Sequence, residues 1–251
     1  AARLALPALV IAGLALGAAV APAATKAPAK APPAAATGLE NLEKQVQEFT
    51  LPNGLRFIVV ERHSAPVFSF ETMVNAGGVD EPIGQTGLAH MLEHMAFKGT
   101  SVVGTKDWAG EQPLLEAEER AYLACLAERR RGFKADTARL ASLQQAFAEA
   151  QDAARGLVES NEFSRIIESA GAPDMNAMTS DDVTQYYYSL PSNRLELWAL
   201  MEGGRMTWPV FREFYKERDV VYEERRMGVE SSPFGRLFMD FLNTAFVAHP
   251  Y

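Results

Sequence analysis

The sequence predicts an α+β fold in which helices cover a mainly antiparallel sheet, with an inserted antiparallel helical hairpin. Two β-rich runs come early in the chain, at 55–61 and 66–76. A stretch rich in Ala, Glu, Arg and Leu then interrupts the chain at 113–158. Helical segments and one further strand-like segment fill the second half. This order of elements is typical of α+β domains.

The composition restricts the class of protein. Of the 251 residues, 48% are hydrophobic and 22% charged, which is typical of a globular protein with a real core. The net charge of −8 argues against a nucleic-acid partner, because nucleic-acid-binding proteins present basic faces. The single cysteine, Cys125, excludes an internal disulfide framework and a cysteine-based metal cluster.

The N-terminal segment has the pattern of an export signal. Residues 4–20 form an uncharged apolar run between Arg3 and a stretch of small residues, so we predict a signal peptide over 1–24. An uncleaved membrane anchor is the alternative, since the run lies near the lower length limit for spanning a bilayer. Residues 25–41 are predicted to be a disordered Ala/Pro/Lys linker. We therefore expect an exported protein, periplasmic or secreted.

The folded domain is predicted to span 42–251. The chain lacks an initial Met and stops just after an apolar helix-like run, so we expect it to be a truncated piece that continues past Tyr251 in the full protein. A Pro-Asn-Gly turn at 52–54 introduces the first strand, and polar and apolar residues alternate in the second.

The segment 113–158 predicts two helices joined by a turn at Gly132. Its second half carries a heptad-like apolar seam. The seam residues are Leu140, Leu143, Phe147, Ala150, Ala154 and Leu157. The first half is helical by composition but has a poorer apolar stripe. We interpret the hairpin as a structural insertion, with a docking arm as the alternative.

The second half of the chain is predicted to continue with a short helix at 163–170 and a polar strand that contains Tyr186–Tyr188. Two more helices and an apolar helix at 236–246 follow. The three tyrosines are expected to be half-buried strand residues.

The stretch His90-Met91-Leu92-Glu93-His94 contains two of the four histidines of the chain. The residues Leu88, Met91, Leu92, Met95 and Ala96 predict the apolar stripe of an amphipathic helix. His90, Glu93 and His94 then share the other side. Two imidazoles four residues apart on a helix can chelate zinc, and a carboxylate between them can take a proton from water. The alternative is an ordinary polar helix face.

Three blocks together resemble one known family. The stretches GLAHMLEHMAFKGT, NAMTSDDVTQYYYSL and FYKERDVVYEERR occur in the order seen in the pitrilysin and mitochondrial processing peptidase family of inverted zincins, whose motif is H-x-x-E-H. The similarity covers roughly 45–251, with the hairpin as an interruption. The distance along the chain from the motif to the third block is longer than usual in the family, and the hairpin accounts for the excess.

The resemblance implies an N-terminal metal-bearing domain with Zn²⁺ bound by His90 and His94, and with Glu93 as the general base. It implies Glu224 as the third ligand. Glu217, seven residues earlier on the same helix, would support the site without binding the metal. Glu223 is the nearest competitor, but it points to another side of that helix.

The second block resembles the family's edge strand beside the zinc. Asn176, Ala177 and Thr179 are therefore candidate substrate-binding residues, since an edge strand can pair with an extended peptide. The alternative is an ordinary start of a strand. His63 and His249 are predicted to have no role in the site.

The resemblance implies a zinc metalloendopeptidase of the HxxEH type that cleaves extended or unfolded peptides. Its partners would be the peptide substrate and a second related domain or subunit that completes the active-site chamber. The alternative is a non-catalytic member that acts as a structural or assembly subunit. An envelope adaptor built around the hairpin is a third hypothesis, compatible with either.

Overall fold

The computed structural model describes residues 43–251, so the predicted signal peptide and the whole of the predicted linker lie outside the described residues. The described part forms two units, 43–62 and 63–251. None of the helices in this part combines the length and the apolar character that a membrane crossing requires.

The first unit is a β-hairpin. Strand β1 (Val46–Thr50) pairs antiparallel with β2 (Arg56–Val60), and the rings of Phe49 and Phe57 stack with centroids 5.0 Å apart. Gly54 lies in the turn at φ 90°, a conformation that glycine adopts without steric cost. The sequence predicted β2 but not β1, because Val46–Thr50 contains too many polar residues for a clear strand pattern.

The second unit contains a three-stranded sheet in the order β3-β5-β4. These strands are β3 (Val67–Val74), β4 (Asn176–Thr179) and β5 (Thr184–Pro191). Both pairings are antiparallel, as is that of the first unit, which confirms the predicted mainly antiparallel sheet. Because β5 is central, β4 pairs on one side only and is an edge strand of this sheet.

Within residues 63–251, seven α-helices follow the strands or lie between them. They are α1 (Leu88–Met95), α2 (Trp108–Arg129), α3 (Thr137–Arg155), α4 (Glu162–Ser169), α5 (Leu195–Thr207), α6 (Phe214–Arg225) and α7 (Pro233–Ala245). The core joins α4, β5 and α5 through Phe163, Ile167, Tyr188, Leu190 and Met201. The predicted α+β fold is confirmed.

Helices α2 and α3 pack against each other as the predicted helical hairpin. The six seam residues of the sequence pattern are buried or half-buried, whereas most of the residues between them are exposed. Helix α2 instead buries Glu111, Glu118, Cys125 and Glu128, which explains its poor apolar stripe. Its buried face is mostly made of carboxylates with partners.

The two ends of the hairpin meet in a short neck. Thr105 and Val158 form an isolated antiparallel bridge. On either side of it, Lys106 donates its N–H to Leu157 O at 2.8 Å and Glu159 donates to Gly104 O at 3.0 Å. The chain therefore leaves and re-enters the domain at one point.

Arg212 fixes the loop that follows α1. Its side chain is fully buried and bonds both carboxylate oxygens of Glu111, at 2.7 and 3.2 Å. The same guanidinium donates to the carbonyl oxygens of Lys98, Thr100 and Val103. One cation thus ties this loop, the start of α2 and the segment before α6 together.

Candidate metal centre

The helix that carries the HxxEH motif has a well-defined start. Gly87 lies at φ 97°, which favours glycine, and α1 begins at the next residue. The carboxylate of Glu81 accepts the backbone N–H groups of Gly87 and Ala89, both at 2.6 Å. A negative charge at the N-terminal end of a helix stabilises it through the helix dipole.

The apolar stripe predicted for this helix is partly wrong. Met91, Met95 and Ala96 are buried, as predicted, but Leu88 and Leu92 are about half exposed. The helix packs mainly against α6 and strand β4, and these contacts cover a narrower sector than the sequence pattern implied.

His90, His94 and Glu224 are brought together although Glu224 is distant in the sequence. The two Nε2 atoms are 3.2 Å apart. Glu224 Oε2 lies 3.3 Å from His90 Nε2 and 3.6 Å from His94 Nε2. Glu224 reaches this position because α6 packs against α1.

These separations fit a bound zinc ion. Tetrahedral zinc with ligand atoms at about 2.0–2.1 Å requires about 3.3 Å between neighbouring ligand atoms, close to all three distances. The three residues are half-buried, and their candidate ligand atoms all lie within 4.8 Å of one another. Two imidazoles and one carboxylate form the donor set expected of a catalytic zinc site.

Glu217 approaches His94 from the side away from Glu224. Its Oε2 lies 3.3 Å from His94 Nδ1. A carboxylate can only accept a hydrogen bond, so the proton of the neutral imidazole belongs on Nδ1. The lone pair of Nε2 then points towards His90 and Glu224, the orientation that metal binding requires.

Lys98 is a site residue that the sequence analysis missed. Its Nζ lies 2.6 Å from Glu217 Oε1 and 3.1 Å from Glu213 Oε2. Burial raises the pKa of Glu213, but Lys216 and Lys98 more than offset this effect and leave it below its usual value. The available signal was the position of Lys98 four residues after His94, roughly one helical turn further on.

Glu93 lies beside the edge strand. One of its oxygens, Oε2, accepts a hydrogen bond from the hydroxyl of Thr179. Thr179 is one of the three candidate substrate-binding residues, so its side chain here contacts the candidate base. Nearby, burial raises the pKa of Tyr186 to about 12, despite the opposing charge of Arg205, and this phenol is neutral at ordinary pH.

The other two candidate substrate-binding residues border a cavity. Asn176 and Ala177 line a space of about 370 Å³ that also reaches Glu93, His94 and Glu217. The side chain of Asn176 accepts the backbone N–H of Ala177 at 2.9 Å. The start of β4 therefore borders the same cavity as Glu93.

The remaining predictions concern residues away from this cluster. Glu223 is exposed and pairs with Arg226 at 2.9 Å, as a solvated surface charge does. Tyr186 and Tyr188 are more deeply buried than predicted, at 3% and 1% exposed, because their face of β5 carries the core, whereas Tyr187 is 39% exposed.

Comparison with known proteins shows two similarities in sequence. Residues 56–111 match the insulinase family, peptidase family M16. The chain is 29% identical over 210 residues to the zinc protease PqqE of Helicobacter pylori, covering 82% of this chain and 34% of that protein. It thus spans about a third of the length of this curated relative.

Two solved structures are also similar. A protease from Helicobacter pylori has a TM-score of 0.57 and 26% identity, covering 82% of this chain and 37% of that chain. The first half of the periplasmic protease PqqL from Escherichia coli has a TM-score of 0.47 and 21% identity, covering 73% and 30% of the two chains. The sequence match and the relative both agree with the resemblance to pitrilysin-type enzymes.

Proposed function

We propose that this chain is the metal-bearing part of a zinc-dependent endopeptidase of the HxxEH type, which cleaves extended or unfolded peptides. The observation that carries the proposal is the cluster of His90, His94 and Glu224, with ligand atoms within 4.8 Å of one another. Glu93 lies on the same helix as the two histidines, and its second carboxylate oxygen can act as a base beside these three ligands.

In this proposal His90, His94 and Glu224 hold the zinc ion. Bound zinc supplies Lewis acidity, which polarises a peptide carbonyl and makes water a nucleophile near neutral pH. Glu217 keeps the His94 imidazole in the tautomer and orientation that ligation needs, through the 3.3 Å contact at Nδ1.

Glu93 is the proposed general base. Its carboxylate removes a proton from the attacking water and then passes it to the nitrogen of the leaving amine. The hydroxyl of Thr179 holds Oε2 in place. Fixing one oxygen leaves the other to exchange the proton.

The proposed substrate lies along β4. This strand pairs with β5 on one side, so an extended peptide can pair with its other side. Asn176 and Ala177, at the start of β4, line the cavity that leads to Glu93. Because backbone hydrogen bonds supply much of the affinity, we expect little sequence preference.

The proposal includes two kinds of partner and a location. Besides the peptide, a second related domain or subunit would complete the active-site chamber, and no nucleic acid is expected. The partial coverage of PqqE supports a larger assembly. The apolar run at 4–20 supports export to the periplasm or the medium.

Elemental analysis for zinc tests the site. We expect about one zinc per wild-type chain. The affinity for zinc should fall at least tenfold in Glu224→Ala and stay unchanged in Glu223→Ala, which alters the exposed neighbour on the same helix. A folded chain that binds no zinc, or that binds it equally in both variants, contradicts the proposed ligand set.

Peptide cleavage tests the proposed reaction. It is measured on the longer protein of which we expect this chain to be a part. Glu93→Gln is expected to retain zinc and to abolish cleavage of an unfolded peptide. Zinc binding without cleavage by the wild type would instead support the alternative, a non-catalytic member with a structural or assembly role.

A further inference from the structure

The tip of the α2–α3 hairpin, residues 129–139, is strongly basic in an acidic chain. It contains five basic residues and one acidic residue, Asp136, whereas the whole chain carries −8. The basic residues, all exposed, are Arg129, Arg130, Arg131, Lys134 and Arg139. The hairpin tip is thus a basic patch on an acidic chain.

Three of these cations are not neutralised by neighbours. Arg131 and Arg139 approach the carboxylate of Glu128, at 2.8 and 3.6 Å. Arg129, Arg130 and Lys134 make no ion pair with any of residues 43–251. Their charge is therefore available to an external anion.

An aromatic side chain stands among these charges. Phe133 is 96% exposed. Lys134 Nζ lies 5.7 Å from the centre of its ring. Among residues 43–251, this large apolar side chain therefore lies almost entirely in water, next to a cation.

The hairpin tip projects away from the rest of its unit. The hairpin contacts α6 through Tyr122, whose ring centroid is 4.2 Å from that of Tyr215. Helix α2 continues for about two further turns, roughly 10 Å, before the tip begins. The hydrogen bonds of Arg131, Asp136 and Arg139 stay within the tip and the adjoining Glu128.

We propose that the hairpin tip docks onto an anionic phospholipid bilayer. Arginine and lysine near an anionic membrane surface each contribute favourable electrostatic energy, and an aromatic ring inserts at the boundary of headgroups and acyl chains. A convex tip with its ring at the apex suits a planar, deformable surface. An acidic protein partner would need a pocket for Phe133. Since the chain outside the tip carries a net negative charge, a negatively charged bilayer favours contact through the tip.

Vesicle sedimentation with the full chain tests this proposal. The probes are vesicles of phosphatidylcholine alone and vesicles in which one third of the lipid is phosphatidylglycerol. We expect binding that depends on phosphatidylglycerol and weakens at high salt. Affinity that comes from residues 1–42, which include Arg3, Lys26 and Lys30, is unchanged in variants of the tip, so those variants separate it from the contribution of the tip.

Two variants locate the binding. Arg129→Gln with Arg130→Gln is expected to weaken binding roughly 25-fold, at about fivefold per charge. The control, Arg120→Gln with Arg155→Gln, removes two exposed charges of the same hairpin outside its tip and is expected to change binding less than about twofold. Equal loss in both double variants overturns the proposal.

Insertion is measured with Phe133→Trp. We expect a blue shift of the added fluorescence with phosphatidylglycerol vesicles, above the signal of the three native tryptophans. The proposal is overturned if wild-type chain binds both vesicles equally. If the tip variants then weaken binding of polyglutamate, the partner is an acidic protein instead.

Discussion

Glu217 Oε2 lies 3.3 Å from His94 Nδ1, on the side of the imidazole that faces away from Glu224. This contact sets which nitrogen of His94 faces the other candidate ligands. It therefore links a residue outside the proposed ligand set to the binding of metal.

Replacement of Glu217 tests this link. Glu217→Ala is expected to weaken zinc binding by about 10–100-fold, because His94 loses the partner that orients it. Competition with a chromophoric chelator measures the affinity. Glu230→Ala, an exposed change beyond α6, is the control and should leave the affinity unchanged. Equal affinity of wild type and Glu217→Ala would contradict the orienting role.

Thr179 is expected to act through Glu93. Thr179→Val removes the hydroxyl that bonds Glu93 Oε2. A hydrogen bond to a charged group contributes about 1.5–3 kcal/mol, so kcat of the longer protein should fall by about tenfold or more. Thr179→Ser retains the hydroxyl and should retain most of the activity. Zinc content is measured in both, and its loss in Thr179→Val would assign the effect to the metal site.

Lys98 is expected to stabilise the fold. Its side chain is 16% exposed and neutralises Glu213 and Glu217, which are 7% and 13% exposed. Lys98→Met leaves buried carboxylates without this partner and should lower the free energy of unfolding by about 3 kcal/mol. Lys216→Met, which removes a cation that is 56% exposed from the same Glu213, should cost less than about 1 kcal/mol. Urea unfolding compares the two, and equal losses would contradict the assignment.

The effect of Lys98→Met should depend on pH. The pKa of Glu213 is lowered in the folded chain, because Lys216 and Lys98 outweigh the effect of burial. Such a carboxyl binds protons more tightly in the unfolded chain than in the folded one. Its ion pairs therefore stabilise the fold fully above the usual carboxyl pKa, and this stabilisation is lost as the pH falls through the lowered pKa. The stability difference between wild type and variant should therefore be largest at neutral pH and shrink below about pH 4. A constant difference across this range would exclude the ionic explanation.

Glu118 offers a change that should stabilise the chain. Burial raises the pKa of its carboxyl, against a hydrogen bond from Gln151 and with help from Glu119 and Glu213. The carboxyl binds protons more tightly in the folded than in the unfolded chain, so its charge destabilises the fold above the raised pKa and this penalty vanishes below the usual pKa. Glu118→Gln should raise Tm by about 2 °C at pH 7 and leave it unchanged near pH 4. Glu116→Gln, exposed on the same helix, is the control and should shift Tm little at either pH.

Some elements were predictable because their residues repeat with the period of the element. The seam of α3 places an apolar residue every three or four positions, and those residues are the shielded ones. Strand β3 alternates exposed and half-buried residues with a period of two, as its sequence pattern predicted. Helix α2 lacked such a signal, because three of its four buried residues are carboxylates, and the partner of one of them, Arg212, is distant in the sequence.

The residues of the candidate site also differ in how far the local sequence predicted them. The spacing of His90, Glu93 and His94 indicated a chelating face from local sequence alone, whereas Glu224 and Glu217 were identified only through resemblance to a family. Lys98 and the bond from Thr179 to Glu93 depend on how α1, α6 and β4 pack. No local pattern encodes that packing.

The neck at Thr105 and Val158 has an evolutionary consequence. A segment whose two ends lie side by side can be inserted in one genetic event, because the chain before and after it keeps its path. Loss is harder to achieve. Glu111 lies beyond the neck and supplies the carboxylate that bonds Arg212. Deletion of the hairpin would therefore leave the buried guanidinium of Arg212 without its carboxylate partner. A variant of the domain without the hairpin would therefore need a compensating mutation at Arg212.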